Sequence, residues 1–232
     1  MEQSLHAVRE ELCKVGLTLY QRGYVVSNDG NISVRTGENE LWITPSGVSK
    51  GRMTPDMMVC IDLDGALLSG DRHPSSEYKM HLEVYRARPD VGAVVHAHPP
   101  CATAFAVCQK PLDTPYLPEL ILSVGEVPLA PFAMPSTDQV PRSIAPFLRD
   151  HQAVLLANHG ALTWGDDLWS AFDRMEIVEH AARITRYVGQ LGGGITLTAE
   201  QVAQLRGMDG FYKNLAAPRS QSAPAEEGGQ TR

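Results

Sequence analysis

Two short apolar runs, each ending in histidine, constrain this chain more than any other feature. One runs from Val91 to His98 and closes on Ala93-Val94-Val95-His96-Ala97-His98; the other is Ala153-Val154-Leu155-Leu156-Ala157, followed at once by Asn158-His159-Gly160. Apolar runs of this length read as strands buried inside a sheet. Residues i and i+2 of a strand point to the same face, so the imidazoles of His96 and His98 project together. Two neutral imidazoles converging on one point suit a borderline metal such as zinc. An H-x-H pair reads equally well as two unrelated polar residues at a strand end. His159 supplies a third candidate ligand, placed in a tight turn directly after a core strand, where functional groups tend to sit. Taken alone it is more often a structural histidine.

The rest of the chain supplies helices and hairpins around these runs. Leu5, Val8, Leu12, Val15 and Leu19 mark an amphipathic first helix that ends near Gly23. Asn31-Ile32-Ser33-Val34-Arg35 alternates like a strand, with Leu41-Trp42-Ile43 as its hairpin partner; Met58 to Leu63 and Ala66-Leu67-Leu68 flank an Asp64-Gly65 turn. Helices are expected from Pro74-Ser75-Ser76 to before Pro89, after Pro99-Pro100, from Thr137-Asp138 to about Arg149, and from Asp167 to Val188. Val127 to Phe132 reads as a strand, and Thr198-x-x-Gln201 as a capping box for a last helix. With no internal repeat and no interior linker, residues 1–215 are expected to form one α/β domain, and residues 216–232, rich in Ala, Pro, Ser, Glu, Gly and Gln, read as a disordered tail.

The bulk numbers exclude several classes. A chain of 232 residues that is 43% apolar can bury a sizeable core. Its net charge of −7 argues against nucleic acid or an anionic membrane as the main partner. No apolar run approaches the roughly 18–20 residues that span a bilayer. The N-terminus lacks the basic-then-apolar build of a signal peptide. Cys13, Cys60, Cys101 and Cys108 show no C-x-x-C spacing and read as reduced packing residues. The cytoplasm is the expected location.

Two further groups carry chemistry. Glu77 sits in the first turn of a helix, where a glutamate can simply answer the helix dipole. Beside three histidines it can serve as fourth ligand or general base, though spacing alone does not set it apart from Glu83 or Glu119. Gly30-Asn31, Thr44-Pro45-Ser46-Gly47 and Ser75-Ser76 each place hydroxyls, amides or free backbone N–H groups at a turn. Together these can cradle a phosphate without a lysine; singly each is an ordinary cap or turn. Neither G-x-x-x-x-G-K-[ST] nor G-x-G-x-x-G occurs, which argues against nucleotide sites.

In order, Gly30-Asn31-Ile32-Ser33, Ile43-Thr44-Pro45-Ser46-Gly47, Pro74-Ser75-Ser76-Glu77, Ala93 to His98 and Leu155 to Gly160 resemble the class II aldolase/adducin family across about residues 5–190. The resemblance implies a three-layer α/β/α domain with a central, mainly antiparallel sheet. It implies zinc, with manganese or cobalt as substitutes, on His96, His98 and His159, and Glu77 as resting ligand and acid/base catalyst. Gly30, Asn31, Ser46, Gly47, Ser75 and Ser76 would hold the phosphate of a sugar phosphate. Relatives form cyclic homotetramers with active sites at subunit interfaces.

The chain also departs from that pattern. The tyrosine acid of the fuculose-phosphate aldolases aligns with Leu117, one residue from Tyr116, and the loop Ala133-Met134-Pro135-Ser136-Thr137 differs too. Tyr116 and Tyr212 are the candidate substitute aromatic acids or substrate contacts, although Tyr212 and its neighbour Phe211 read equally well as packing residues. The first expectation is therefore an aldolase that cleaves a ketose 1-phosphate, such as a 5-deoxypentulose, 5-methylthioribulose or fuculose 1-phosphate, to dihydroxyacetone phosphate and an aldehyde. The alternatives are a 3-oxo-tetronate 4-phosphate decarboxylase, a methylthioribulose-1-phosphate dehydratase or a pentulose-phosphate 4-epimerase. Gln21-Arg22-Gly23-Tyr24 and Leu156 to Gly160 look like the decarboxylase branch. A non-catalytic adducin-like module and an unrelated H-x-H metallohydrolase are the readings from other classes.

Overall fold

The computed structural model describes residues 2–208. Phe211, Tyr212 and the expected tail at 216–232 lie outside the described residues. From the N-terminus the elements are α1 (Glu2–Gln21), β1 (Asn31–Gly37), β2 (Glu40–Ile43), β3 (Val59–Ile61), β4 (Leu67–Ser69), α2 (Tyr78–Ala87), β5 (Ala93–Ala97), α3 (Pro100–Val107), α4 (Pro118–Ser123), β6 (Leu129–Ala130), α5 (Gln139–Ile144), β7 (Ala153–Leu156), β8 (Gly160–Gly165), α6 (Leu168–Gln190) and α7 (Ala199–Gly207).

The strands form one eight-stranded sheet in the order β4-β3-β2-β1-β5-β8-β7-β6. Every neighbouring pair is antiparallel except β6 with β7. Strand alternation sends side chains to two faces, and a helical layer covers each. Ala93, Val95, Ala97, Ala153, Leu155 and Ala161 meet α1, α3 and α6 on one face. Val94, Val154, Leu156, Leu162 and Trp164 meet α2 and α5 on the other. The fold is thus the expected three-layer α/β/α arrangement around a mainly antiparallel sheet.

Several boundaries moved for physical reasons. The helix expected to reach Arg149 stops at Ile144 and tightens into a 3₁₀ turn over Ala145–Phe147, because Pro146 lacks an N–H and crowds the residue before it. The helix expected to open at Pro74 starts at Tyr78, with Glu77 at its N-cap and Ser75-Ser76 in the preceding turn. Strand β8 and helix α4 were not foreseen. The capping boxes at Asp167/Ser170 and Thr198/Gln201 both form. The four cysteines are unpaired, and burial pushes the Cys60 and Cys13 thiols up to about 11. Among the described residues no helix is long and apolar enough to cross a membrane.

Candidate metal centre

The sheet register assembles the cluster. His96 is fully buried near the end of β5, paired with Asn31 of β1 on one side and Leu162 of β8 on the other. Its side chain follows Val94 to the α2 face, where Glu77 waits at the start of that helix. His98 lies just past the strand end, its backbone N–H donating to the Tyr24 carbonyl (2.8 Å). His159 sits in the β7–β8 turn, which Asn158 enters in the left-handed conformation (φ 56°). Gly160 then lets β8 pass close to β5: a Cβ there would lie 2.5 Å from the Ala97 carbonyl oxygen and 2.6 Å from His98 Cδ2. Gly30 is similarly constrained, with φ 71° and a virtual Cβ 2.8 Å from the His96 carbonyl oxygen. Glycine at these two positions is what permits the histidines to converge.

The three imidazoles each offer a nitrogen within 4.8 Å of the others. His98 Nε2 is 3.2 Å from His96 Nε2. Glu77 Oε2 stands 3.4 Å from His96 Nε2, and Oε1 stands 3.4 Å from His159 Nε2. His96 Nδ1 is 3.0 Å from the Ala161 carbonyl oxygen, which accepts its proton and leaves the Nε2 lone pair facing the cluster. Burial, then the neighbouring His159 and His98, holds the His96 pKa well below the ordinary imidazole value; burial also lowers that of His159, opposed by Glu77. Neutral imidazoles are the form that ligates metal. Glu77 Oε1 is buried with no hydrogen-bond partner, a costly arrangement unless a cation answers it. Three imidazole nitrogens and one carboxylate therefore fit a divalent metal ion.

The cluster opens onto a pocket that also gathers Gly30, Asn31, Ser46, Gly47, Ser75 and Ser76, all six residues singled out as a phosphate cradle. Two backbone hydrogen bonds lace the two serine turns together, Ser46 N–H to the His73 carbonyl and Ser75 N–H to the Thr44 carbonyl (both 3.0 Å). Tyr116 does not line this pocket; it packs near Gly194 beyond α6.

Asp29 and Lys50 were not picked out as site residues in the sequence. Asp29, next to the Gly30-Asn31 motif, approaches His98 Nδ1 at 3.5 Å. Pro135 and Ser136, from the loop that departs from the family pattern, line the pocket from the β6–α5 connection, Ser136 with φ 63°. Lys50 is only 2% exposed, and its ammonium donates to the Asn28 and Val48 carbonyls at 3.0 and 2.9 Å. Burial pushes it down to about 8, against the pull of Asp29 and Glu77. A lone lysine after a turn reads in sequence as a solvated charge, so only the fold could reveal it.

Comparison with known proteins agrees with this geometry. Residues 10–186 match the model of the class II aldolase and adducin N-terminal domain. The chain is 36% identical over 211 residues to 3-oxo-tetronate 4-phosphate decarboxylases of Escherichia coli, covering 89% of this chain and 97% of theirs. It is 32% identical to an L-fuculose phosphate aldolase of Methanococcus maripaludis, over 78% of this chain and 97% of that one. The crystal structure of a putative aldolase/epimerase/decarboxylase from Escherichia coli superposes with a TM-score of 0.82 at 33% identity, covering 88% of this chain and 99% of the other. With the family model spanning most of its length, this chain belongs to the class II aldolase/adducin family.

Proposed function

We propose that this enzyme is a metal-dependent carbon–carbon lyase that decarboxylates a 3-oxo-tetronate 4-phosphate. The observation that carries the reading is the joining of the Glu77–three-histidine cluster to the serine- and glycine-rich turns in one pocket. The relatives at 36% identity favour decarboxylation over the ketose-1-phosphate cleavage that the sequence suggested first. Aldol cleavage stays as the second reading, supported by the aldolases at 32% identity.

The two reactions share their difficult step. Decarboxylation breaks the C1–C2 bond of the oxo-acid, releases carbon dioxide and leaves the electron pair on the substrate as the enediolate of dihydroxyacetone phosphate. Retro-aldol cleavage of a ketose 1-phosphate leaves the same enediolate. When bound, a divalent cation, for which we propose zinc, supplies Lewis-acid stabilisation of negative charge on the substrate oxygens. His96, His98, His159 and Glu77 would hold it. Glu77, at a helix N-cap, carries the proton that the electron-rich carbon takes up, which yields dihydroxyacetone phosphate. The hydroxyls of Ser46, Ser75 and Ser76 and the turn N–H groups at Gly30 and Gly47 bind the phosphate and orient the reacting bond. Asn31 gives one amide N–H to Glu77 and has a second for the pocket.

We further place the enzyme in the cytoplasm, as a homotetramer with sites at its subunit interfaces. Tyr116, away from its own protomer's pocket, serves as a proton donor only where a neighbouring copy brings it to the site. A complete ligand set disfavours the non-catalytic adducin-like reading. The deciding experiment supplies zinc-loaded protein with 3-oxo-tetronate 4-phosphate and measures carbon dioxide and dihydroxyacetone phosphate together. Equal release of both supports decarboxylation. No carbon dioxide, together with aldol product from dihydroxyacetone phosphate and a small aldehyde, replaces it with the aldolase reading.

A further inference from the structure

Between β1 and α2 the otherwise apolar core holds a line of polar side chains. Strand alternation points Asn31 and Ser33 at α2, among Leu41, Ile43 and Val94. His81 and Tyr85, one turn apart on α2, meet them. Asn31, Ser33, His81 and Tyr85 are all 3% exposed or less. Asn31 Nδ2 donates to Glu77 Oε2 (2.9 Å), and Asn31 Oδ1 lies 2.6 Å from His81 Nε2. His81 Nδ1 is 2.7 Å from Ser33 Oγ, which is 2.9 Å from the Tyr85 hydroxyl.

The chemistry of the end group fixes the direction of every bond. A carboxylate only accepts, so the Asn31 amide must turn its NH₂ to Glu77 and its oxygen to His81. His81 then donates from Nε2, which leaves Nδ1 to accept the Ser33 hydroxyl proton. Ser33 Oγ in turn accepts from Tyr85. Burial pushes the His81 pKa down to about 3, so one ring nitrogen stays a lone pair at ordinary pH, and burial likewise raises the Tyr85 phenol so that it keeps its proton.

We propose that His81 is a positioning residue that acts on Glu77 through Asn31. As the Nε2–H tautomer, held by Ser33 and Tyr85, it locks the Asn31 amide in the one orientation that gives the carboxylate a donor. Its mirror tautomer would flip that amide and point an oxygen at Glu77. This rests on the proposed role of Glu77, but the placement of the carboxylate is a matter of the chain's own geometry. A buried polar line that merely specifies the packing of α2 on β1 would be indifferent to the tautomer.

The test compares His81→Leu, Asn31→Ala and the double variant, with folding checked by circular dichroism. Outer residues of this kind typically cost roughly 10–100-fold. His81→Leu is expected to lose that much kcat with KM little changed, and the double variant to be no worse than Asn31→Ala alone. Losses that multiply in the double variant overturn the proposal. Should His81→Leu fail to fold, Ser33→Ala, which releases the tautomer without removing bulk, takes its place with the same expected pattern. Nitrogen-15 NMR of histidine-labelled wild type reads the tautomer directly: protonation at Nε2 supports the proposal, and protonation at Nδ1 overturns it whatever the activity. Absence of turnover by the wild type would count against the functional reading only, since the tautomer still decides the role of His81.

Discussion

Replacing Lys50 by methionine tests the electrostatics beneath the pocket. An ammonium only 2% exposed, held by two carbonyls, keeps its proton less readily than one in water. Its pKa falls from the ordinary 10.5 to about 8. A folded-state value below the unfolded one means that, between these limits, the unfolded chain binds a proton the native protein has lost. Stability therefore rises with pH across that window. At 1.36 kcal/mol per pH unit, wild type should gain about 2 kcal/mol on Lys50→Met by pH 9.5, and about 3 kcal/mol by pH 10.5. Below pH 7 the difference should be flat. Urea unfolding of both proteins, equally metal-loaded and at fixed ionic strength, provides the measurement, read through the buried Trp42 and Trp164. Titrating groups away from Lys50 are common to both proteins and cancel in the difference. A gap that stays constant or narrows from pH 7 to 9.5 refutes the reasoning and places the ammonium in contact with water.

Other outcomes follow from the same geometry. Glu77→Gln keeps the hydrogen bond from Asn31 in shape but removes the proton carrier, so kcat should fall by about 10²–10⁴-fold while the pure protein still folds; near-normal turnover would exclude the acid/base role. Chelation should abolish turnover and lower the unfolding midpoint, by an amount equivalent to about 4 kcal/mol where free metal stands at a thousand times its Kd, with both restored by added zinc. Gly160→Ala forces a methyl to within 2.5 Å of the Ala97 carbonyl oxygen, which should cost about 1–3 kcal/mol and weaken metal binding, measured by denaturation and by competition with a chromophoric chelator.

The three histidines of the candidate metal centre were legible because they follow from local rules, whereas Glu77 came only from the family resemblance. Spacing of two in a strand puts His96 and His98 on one side, and a histidine after a core strand marks a strand end. Neither depends on knowing the partner strands. The line behind Glu77 was not legible. His81 occupies the core-facing side of a helix whose neighbours Met80, Leu82, Val84 and Tyr85 are buried too, and Ser33 is one polar residue in an alternating strand. Only pairing β1 with β5 and laying α2 across them brings these side chains together. Strand β8 was missed because Gly-Ala-Leu-Thr-Trp-Gly has little alternation of its own and starts at the functional turn. Its identity comes from the register with β5 and β7. The choice between aldolase and decarboxylase was not legible for a different reason. Reactions that pass through one enediolate need the same cluster, and the difference lies in residues that no local rule singles out.

The pocket has two kinds of wall. His96 hangs on ladders to β1 and β8, where a slip of one residue would turn its side chain to the opposite face. Pro135 and Ser136 lie on a connection between β6 and α5 that answers to no such register. Insertions and deletions are therefore lethal to one wall and cheap in the other. A lineage can rework the lip while the histidine floor stays fixed. On that view the 131–138 segment is where a change of substrate should first be written.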